Sequence, residues 1–365
     1  MPAPQPASIV ISVNGTPLAS DAMRLFQSLD VDLGVGMQAA FRLRFSLGQN
    51  SDGQWGPLGE DLFDPSTAFR FEGKVGNNSQ PILNAVLTQF KMNYNANPCD
   101  SSLELSGSDE LERLKKETKR NSHNGQSLPV IVANIFNQYG IQPPLSGVPD
   151  KGVPNPQRHV RMQAGNQNDL EFLRERAEEN ACELYVEPEK FRTRGHFERL
   201  ELNQATPQLN GLVFNQPGQS ETRNAGFYYD LNGPTKVVGR LLNARGEKET
   251  EVTCDLRTQV SGLDKRLLGP SDLAATKVVE RHGRETRAEL QDLCEAVLRR
   301  NSWVVVGKGE VDTSTYGDVL LPYRALPVSG MGKVFDGTYM VWKATHTFKR
   351  DLYCQRFELR RRLQN

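Results

Sequence analysis

A strict two-residue alternation in residues 41–45 constrains this chain more than any other feature. Phe41, Leu43 and Phe45 alternate with Arg42 and Arg44. Successive side chains of a β-strand point to opposite faces of the sheet. The segment therefore predicts a half-buried strand with one apolar and one cationic face, in a sheet that is covered on one side only.

The rest of the first hundred residues continues this β pattern. Ile9, Ile11 and Val13 share one face, and Asn14-Gly15 supplies a turn after them. Further strands are predicted at residues 69–71, 83–94 and 103–105. Residues 1–7 predict a flexible arm because they hold three prolines, and the Gly-, Asp- and Pro-rich residues 48–66 predict a long surface loop. We expect an all-β unit here.

The hydrophobic period changes after residue 107. Three helices are predicted, at 109–120 with Ser108 as N-cap, at 127–139 with Gly140 as its stop, and at 168–180. In the first of these segments acidic residues precede basic ones, which suits a helix dipole. The proline-rich residues 142–157 predict a linker, and 184–186 predict a strand. This block has an α+β character.

The remaining residues return to β structure with two further helices. Residues 200–260 predict strands and loops, 267–282 and 286–300 predict helices, and strands follow from Trp303 onwards, most clearly at Tyr339, Val341, Phe357 and Leu359. The predicted division is 1–107 as a first β-barrel, 108–198 as an α+β insertion, 199–270 as a connecting region, and 271–365 as helices and the closing strands of a second barrel.

Composition and charge exclude several classes of protein. The 365 residues suffice for two or three domains, and 44 basic residues balance 44 acidic ones. A protein that grips many phosphates usually has a basic surplus, so we expect no specific nucleic-acid partner. The N-terminus lacks the basic and apolar regions of a secretory signal, and no apolar run is long enough to span a membrane. We expect synthesis in a reducing cytoplasm and no membrane insertion by this chain itself.

The cysteines and histidines do not form recognisable ligand motifs. No two cysteines have CxxC spacing and no histidines have HxxxH spacing, so buried, reduced thiols are expected and a metal site is not. The cysteines are Cys99, Cys182, Cys254, Cys294 and Cys354; the histidines are His123, His159, His196, His282 and His346.

Signatures of catalysis and of cofactor binding are also missing. The chain has neither a GxSxG elbow nor a complete phosphate-binding loop. Residues 34–39 fit GxGxxA formally, but this segment leads into the Phe41–Phe45 strand instead of a helix, which favours a β-turn. We therefore predict no catalytic, cofactor-binding or metal-binding residues, no cofactor, and a protein that is not an enzyme.

Two alternatives remain open at this point. Paired carboxylates could serve a cell-wall hydrolase, although glutamates on one helix face usually form salt bridges. Tryptophans could serve a carbohydrate-binding β-module. Core packing is the expected role of Trp303 and Trp342, whereas the position of Trp55 in the Gly- and Pro-rich loop favours a contact with a partner. The glutamates concerned are Glu171, Glu175, Glu178 and Glu179, and the tryptophans are Trp55, Trp303 and Trp342.

Two longer segments each carry a motif. Residues 168–187 run from a helix into a strand and contain Asp169, Phe172, Leu173 and Ala177, with Asn180-Ala181 after the helix. The motif residues of 330–362 are Gly337, Tyr339, Val341, His346, Tyr353, Phe357, Leu359 and Arg360. Together the two segments resemble the helix-to-strand motif and the closing segment of the phage late-control D proteins and of the hub region of VgrG spike proteins, although the family has glycine where Asn180-Ala181 stands.

The order of weaker motifs agrees with this resemblance along most of the chain. The Val13-Asn14-Gly15 strand end, Gly107-Ser108-Asp109 and the 127–141 helix all fall in the family's order. The resemblance implies a mainly β, α+β fold with two tube-protein-like β-barrels and an α+β insertion.

The same resemblance implies a structural role and its partners. Members of this family form the trimeric baseplate hub of contractile tails and contractile injection systems, which adapts a threefold spike to a sixfold inner tube. The implied partners are two further copies of the chain, inner-tube or tube-initiator proteins and other baseplate subunits. Because the chain ends at Asn365 just after the closing motif, we expect the spike to be a separate polypeptide. The expected location is a phage tail or injection-system particle.

Overall fold

The computed structural model describes most of the chain. The described residues are 5–48, 67–97, 100–123, 125–149, 162–190, 192–203, 206–214, 222–242, 248–260, 262–268, 275–282, 286–350 and 352–363. Several predicted features fall outside them: Cys99, His159, the Trp55 loop and the second half of the 142–157 linker.

Strands dominate the described residues. They are β1 (Ala7–Val13), β2 (Thr16–Pro17), β3 (Phe26–Gly34), β4 (Ala40–Leu47), β5 (Ala68–Val75), β6 (Asn78–Asn93), β7 (Ser101–Asp109), β8 (Thr118–Ser122), β9 (Met162–Asn168), β10 (Glu183–Pro188), β11 (Thr193–Glu198), β12 (Leu212–Val213), β13 (Thr222–Tyr229), β14 (Lys236–Leu242), β15 (Lys248–Asp255), β16 (Thr276–His282), β17 (Val305–Asp312), β18 (Ala325–Ser329), β19 (Gly337–Lys349) and β20 (Leu352–Arg361).

The helices are fewer and mostly short. They are α1 (Ser20–Arg24), α2 (Leu128–Gln138), α3 (Asp169–Glu179), α4 (Gly262–Leu267), α5 (Arg287–Asn301) and α6 (Thr313–Tyr316), with 3₁₀-helices at Glu110–Lys115 and Leu256–Thr258.

Thirteen of the described strands form one sheet that contains both ends of the chain. Its order is β13-β17-β20-β19-β3-β4-β7-β6-β5-β1-β2, with β18 attached to β19 and β12 to β18. The pairing of β3 with β19 joins the N-terminal strands to the C-terminal ones, with Asp32 opposite Thr345. This confirms a mainly β fold. Among the described strands the pairing runs from β13 to β2 without closing into a barrel.

Alternation of apolar residues explains where the cores lie. On β4, Phe41, Leu43 and Phe45 are buried, as predicted, and Leu29 and Val31 on the neighbouring β3 join them. This N-terminal core also includes Phe348 and Tyr353 from the C-terminal strands, so the two ends of the chain share it. A separate core lies under α5, which packs on β14 and β15.

The α+β insertion has its own core. Helices α2 and α3 pack with the 110–115 turn and the β10–β11 hairpin around Phe136, Phe172 and Phe197. Helix α3 begins with a capping box, in which Asn168 accepts from the N–H of Glu171 and the Glu171 side chain accepts from the N–H of Asn168. The predicted helices at 127–139, 168–180 and 286–300 are confirmed.

Two predicted helices are wrong. In 109–120, β7 continues to Asp109, whose carboxylate caps a single 3₁₀ stretch, and residues 118–122 then pair with β9. In 267–282, α4 ends at Leu267 and residues 276–282 form a strand parallel to β14. Gly269-Pro270 explains the second error, because helices rarely pass the residue before a proline.

Candidate functional surface

The cationic face of β4 lies within a polar face of the large sheet. Strand register places Arg42 opposite Asp30 and Arg44 opposite Glu104. The Nε atom of Arg44 lies 2.7 Å from Oε2 of Glu104, and the Nε atom of Arg42 lies 3.5 Å from Oε1 of the same carboxylate. Opposite charges on adjacent strands stabilise such a pairing by a few tenths of a kcal/mol, up to about 1 kcal/mol.

The polar face continues across the seam between the two ends of the chain. The hydroxyl of Thr345 donates to Asp32 at 2.6 Å, and the hydroxyl of Thr347 donates to Asp30 at 2.8 Å. The ammonium of Lys343 lies 3.8 Å from Asp32. Polar side chains therefore connect β3 with β19 on the face opposite the core.

Further charges extend this face to β17 and β20. The carboxylate of Glu358 lies 3.3 Å from the Lys308 ammonium and 2.7 Å from the Arg360 guanidinium. The charge of Glu358 raises the pKa of Lys308 above its usual value. We call the surface formed by these outward side chains of β17, β20, β19, β3, β4 and β7 the polar face. Because most of its named charges are paired with each other, it can remain hydrated without binding one ligand strongly.

A second arrangement fixes the insertion to the sheet. The Tyr185 ring on β10 stacks between His196 and Tyr323, with centroid distances of 4.5 and 3.6 Å. The Tyr185 hydroxyl donates to Glu198 at 2.6 Å, and Arg324 donates to both oxygens of Glu187. Burial raises the pKa of the Tyr185 hydroxyl, so it stays a donor. This Tyr185–Tyr323 junction borders a groove of about 700 Å³.

The tryptophans, cysteines and histidines considered from the sequence, and the 34–39 segment, have these positions in the fold. Trp303 is buried beneath the Arg362 guanidinium, and half-buried Trp342 lies against Arg360. The four described cysteines are buried, and burial raises the pKa of Cys294 to about 12, which keeps it a thiol. His123 and His346 are buried. Residues 34–39 link β3 to β4 as a tight turn with Gly36 at a φ of 72°.

The glutamates of α3 do not form a carboxylate pair in a cleft. Glu171 caps its helix, Glu175 accepts from Gln167, and both Glu175 and Glu179 pair with Arg176. Among the described residues, no group of three or more His, Cys, Asp or Glu is placed to hold a metal ion. No helix in the described part of the chain is long and apolar enough to cross a membrane.

Sequence reasoning missed the acidic half of the polar face and the Tyr185–Tyr323 junction. Residues 28–33 alternate polar Ser28, Asp30 and Asp32 with apolar Leu29, Val31 and Leu33, so the strand signal was present. The junction had no such signal, because Tyr185 and Tyr323 are distant in sequence.

Comparison with known proteins shows which solved structures have a similar fold. No protein-family model and no curated protein matches the sequence. A tail protein from Neisseria meningitidis MC58 has a similar structure, with a TM-score of 0.67 and 11% identity, over 97% of this chain and 96% of that one. The 43 kDa tail protein of prophage MuSo2 from Shewanella oneidensis gives 0.66 and 11%, over 97% and 98%.

A third similar structure extends the comparison beyond phage. It is an Escherichia coli component of the type VI secretion system, described as structurally similar to the T4 bacteriophage tail proteins gp27 and gp5. Its TM-score is 0.56 at 13% identity, over 96% of this chain and 76% of that one. The chain thus has the fold of phage tail proteins. More particularly, it has the fold that these share with a type VI secretion component, which confirms at the level of fold the resemblance seen in the sequence.

Proposed function

We propose that this protein is a non-enzymatic structural subunit of the baseplate hub in a contractile tail or contractile injection system. The observation that carries the proposal is the similarity of fold to two tail proteins over nearly the whole length of each chain. A likeness over the full length concerns the whole architecture and not one common domain. The sequence motifs of residues 168–187 and 330–362 point to the same role.

The proposed assembly is a trimer that adapts a threefold spike to a sixfold tube. Three copies with two related halves each would present six similar surfaces, which resolves the mismatch of symmetry. Each half would complete a barrel-like wall only with its neighbours, since the strands described in one chain form an open sheet. The division into barrels at 1–107 and 271–365 remains part of this proposal.

The polar face favours the proposal that the large sheet forms the wall of a water-filled channel. Its opposite side is the apolar core, and its outward charges are largely neutralised within the sheet, as in the Arg44–Glu104 and Lys308–Glu358 pairs. Such a surface would let cargo pass without strong adhesion. The proposed partners are a separate spike protein, inner-tube or tube-initiator proteins and other baseplate subunits, in a particle assembled in the bacterial cytoplasm.

The first test is the solution mass of the purified chain. Light scattering should give three times the 40.8 kDa of one chain, and images of the particle should show a threefold ring with a central opening. A mass of one chain at every concentration measured would contradict the trimer.

A second assay separates this proposal from a cell-wall hydrolase. We expect no clearing of a peptidoglycan suspension by the purified chain, because the α3 glutamates are held in caps and ion pairs. Clearing that a Glu175→Gln or Glu179→Gln change abolishes would overturn the non-enzymatic role.

A further inference from the structure

The His196 ring lies between two carboxylates of the β10–β11 hairpin. Its Nε2 atom lies 3.5 Å from an oxygen of Glu187, and its Nδ1 atom lies 3.6 Å from an oxygen of Glu198. These separations are within the range of ion pairs but too long for strong hydrogen bonds. The Nε2 atom is also buried, and among the described residues it has no hydrogen-bond partner. The interactions of this ring therefore depend on whether it is charged.

A neutral imidazole cannot suit both of these neighbours. It carries a proton on one nitrogen and a lone pair on the other, so one of the two carboxylates always faces a lone pair. A protonated ring has an N–H group on each nitrogen, and each of these nitrogens has a carboxylate oxygen within ion-pair distance. Contact with His196 lowers the pKa of Glu198 although burial would raise it, and the Tyr185 hydroxyl adds to the lowering. Glu198 therefore keeps its negative charge in mild acid.

The charges at the Tyr185–Tyr323 junction are unequal while His196 is neutral. The Arg324 guanidinium, which donates to both oxygens of Glu187, is one positive charge beside the two carboxylates Glu187 and Glu198. Other charged groups on these strands and around the adjoining groove have partners of their own. They are paired as Glu183 with Arg300, Arg194 with Glu189, Arg199 with Asp292 and Glu201 with Arg299. A proton on His196 would therefore balance the charges of the junction.

His196 also contacts the two hairpin side chains that hold the large sheet. The Tyr185 ring is stacked between His196 and Tyr323, at angles of 4° and 8° to their rings. Glu187 lies between His196 and Arg324 in the same way. Tyr323 and Arg324 directly precede β18, which belongs to the large sheet. A positive charge on His196 would attract the Glu187 carboxylate and the face of the Tyr185 ring together.

We propose that His196 is a pH switch in the Tyr185–Tyr323 junction, and that protonation of its ring strengthens the attachment of the insertion to the large sheet. In mild acid the imidazolium pairs with Glu187 and Glu198 and stacks on Tyr185. At higher pH the ring is neutral, these attractions are lost and the hairpin opens more readily. Histidine is the side chain whose charge ordinarily changes between pH 5 and 8. The switch lies within one copy of the chain, so it operates whether or not the chain forms the proposed trimer.

The test measures the coupling between His196 and each carboxylate at pH 5.5 and at pH 8. His196→Gln, Glu187→Gln and their double variant form one mutant cycle, and Glu198→Gln replaces Glu187→Gln in a second cycle. The measured quantity is the opening equilibrium of the hairpin, obtained from native-state hydrogen exchange of the β10 and β11 amides. Variants are compared at the same pH, so the effect of pH on the intrinsic exchange rate cancels. Circular dichroism checks that each variant is folded.

Both cycles should show favourable coupling at pH 5.5. We expect each pair to make hairpin opening at least about threefold rarer than the two single changes predict when they are added. At pH 8 the coupling to at least one of the two carboxylates should disappear, because a neutral ring can donate to only one of them. Coupling of equal size at both pH values would make His196 a purely structural residue and would overturn the switch. A lack of coupling at pH 5.5 would overturn it as well.

The matched control is an ion pair of the same hairpin. The Nε atom of Arg194 lies 2.5 Å from an oxygen of Glu189, and arginine and glutamate are ordinarily charged throughout this pH range. The cycle of Arg194→Gln and Glu189→Gln should therefore give the same coupling at pH 5.5 and at pH 8. If this coupling changed with pH as much as those of His196, the pH would act on the hairpin in general and the switch would be overturned.

Discussion

At the level of single residues, the fold places a buried polar ring at His346 and a left-handed backbone at Ala181. The His346 ring is completely buried, and its Nδ1 atom lies 2.9 Å from the Tyr353 hydroxyl. Ala181 shows a different demand: its φ is 53°, in the left-handed region that favours glycine. The related motif has a glycine here, so this chain keeps the turn after α3 with a less suitable residue.

His346 predicts a loss of stability in acid. Burial lowers its pKa from 6.5 to about 4, so the folded state favours the neutral ring. Above pH 6.5 this preference for the neutral ring adds about 3 kcal/mol to the free energy of unfolding. The stabilisation is lost as the pH falls towards 4. His346→Gln should flatten the pH dependence of urea unfolding in this window. If the free energy of unfolding of the variant and of the wild type depended equally on pH in this window, His346 would not be the cause of the acid sensitivity.

At the level of secondary-structure elements, local caps determine where some helices begin, and strand pairing determines which other segments become strands. Helices α3 and α5 both begin with capping boxes, at Asn168 and Thr286, and both were predicted correctly within one or two residues. Residues 109–120 also have a helical charge order, but pairing with β9 competes with it and wins. Local signals therefore decided the helices only where no strand partner was available.

The cap of α3 can be tested directly. Asn168→Ala removes the acceptor for the N–H of Glu171, 2.9 Å away, and should lower the free energy of unfolding by about 1 kcal/mol. Glu178→Ala, on the exposed surface of the same helix, is the control and should change it by less than about 0.5 kcal/mol. Equal effects in chemical denaturation would argue against the cap.

The seam between β3 and β19 gives a second prediction for an element. Asp32→Ala leaves the nearly buried Thr345 hydroxyl without its 2.6 Å acceptor, so we expect a loss of about 1–3 kcal/mol. Asp21→Ala, which breaks an exposed pair with Arg24, should cost less than about 1 kcal/mol. If Asp32→Ala lowers the free energy of unfolding no more than Asp21→Ala does, this account of the polar face would be contradicted.

At the scale of the whole molecule, one sheet joins the first and last segments of the chain. Phe348 and Tyr353 pack in the N-terminal core, so the N-terminal half does not complete its core without the C-terminal strands. The insertion differs, because its helices surround a separate core that includes Phe136 and Phe172. The fold therefore combines a wall made from both ends of the chain with an insertion fixed to it at the Tyr185–Tyr323 junction.

This arrangement predicts common unfolding of the two halves of the sheet. Native-state hydrogen exchange should give the amides of β3 and β4 the same opening free energy as those of β19 and β20, because breaking the seam exposes a shared core. The measurement is exchange across a series of low denaturant concentrations. Separate values for the two pairs of strands would show that the halves open independently.

Features that depend on neighbours along the chain followed from the amino-acid sequence alone. Alternation specified β4 and its two faces, and caps and apolar periodicity specified α2, α3 and α5, since both signals act over a few residues. Tertiary packing, in contrast, set which strands meet. It paired Arg44 with Glu104, brought Tyr185 to Tyr323 and, among the described strands, left β13 at the end of the sheet. Such contacts join residues far apart in sequence, and alternation fixes the face of a strand but not its partner.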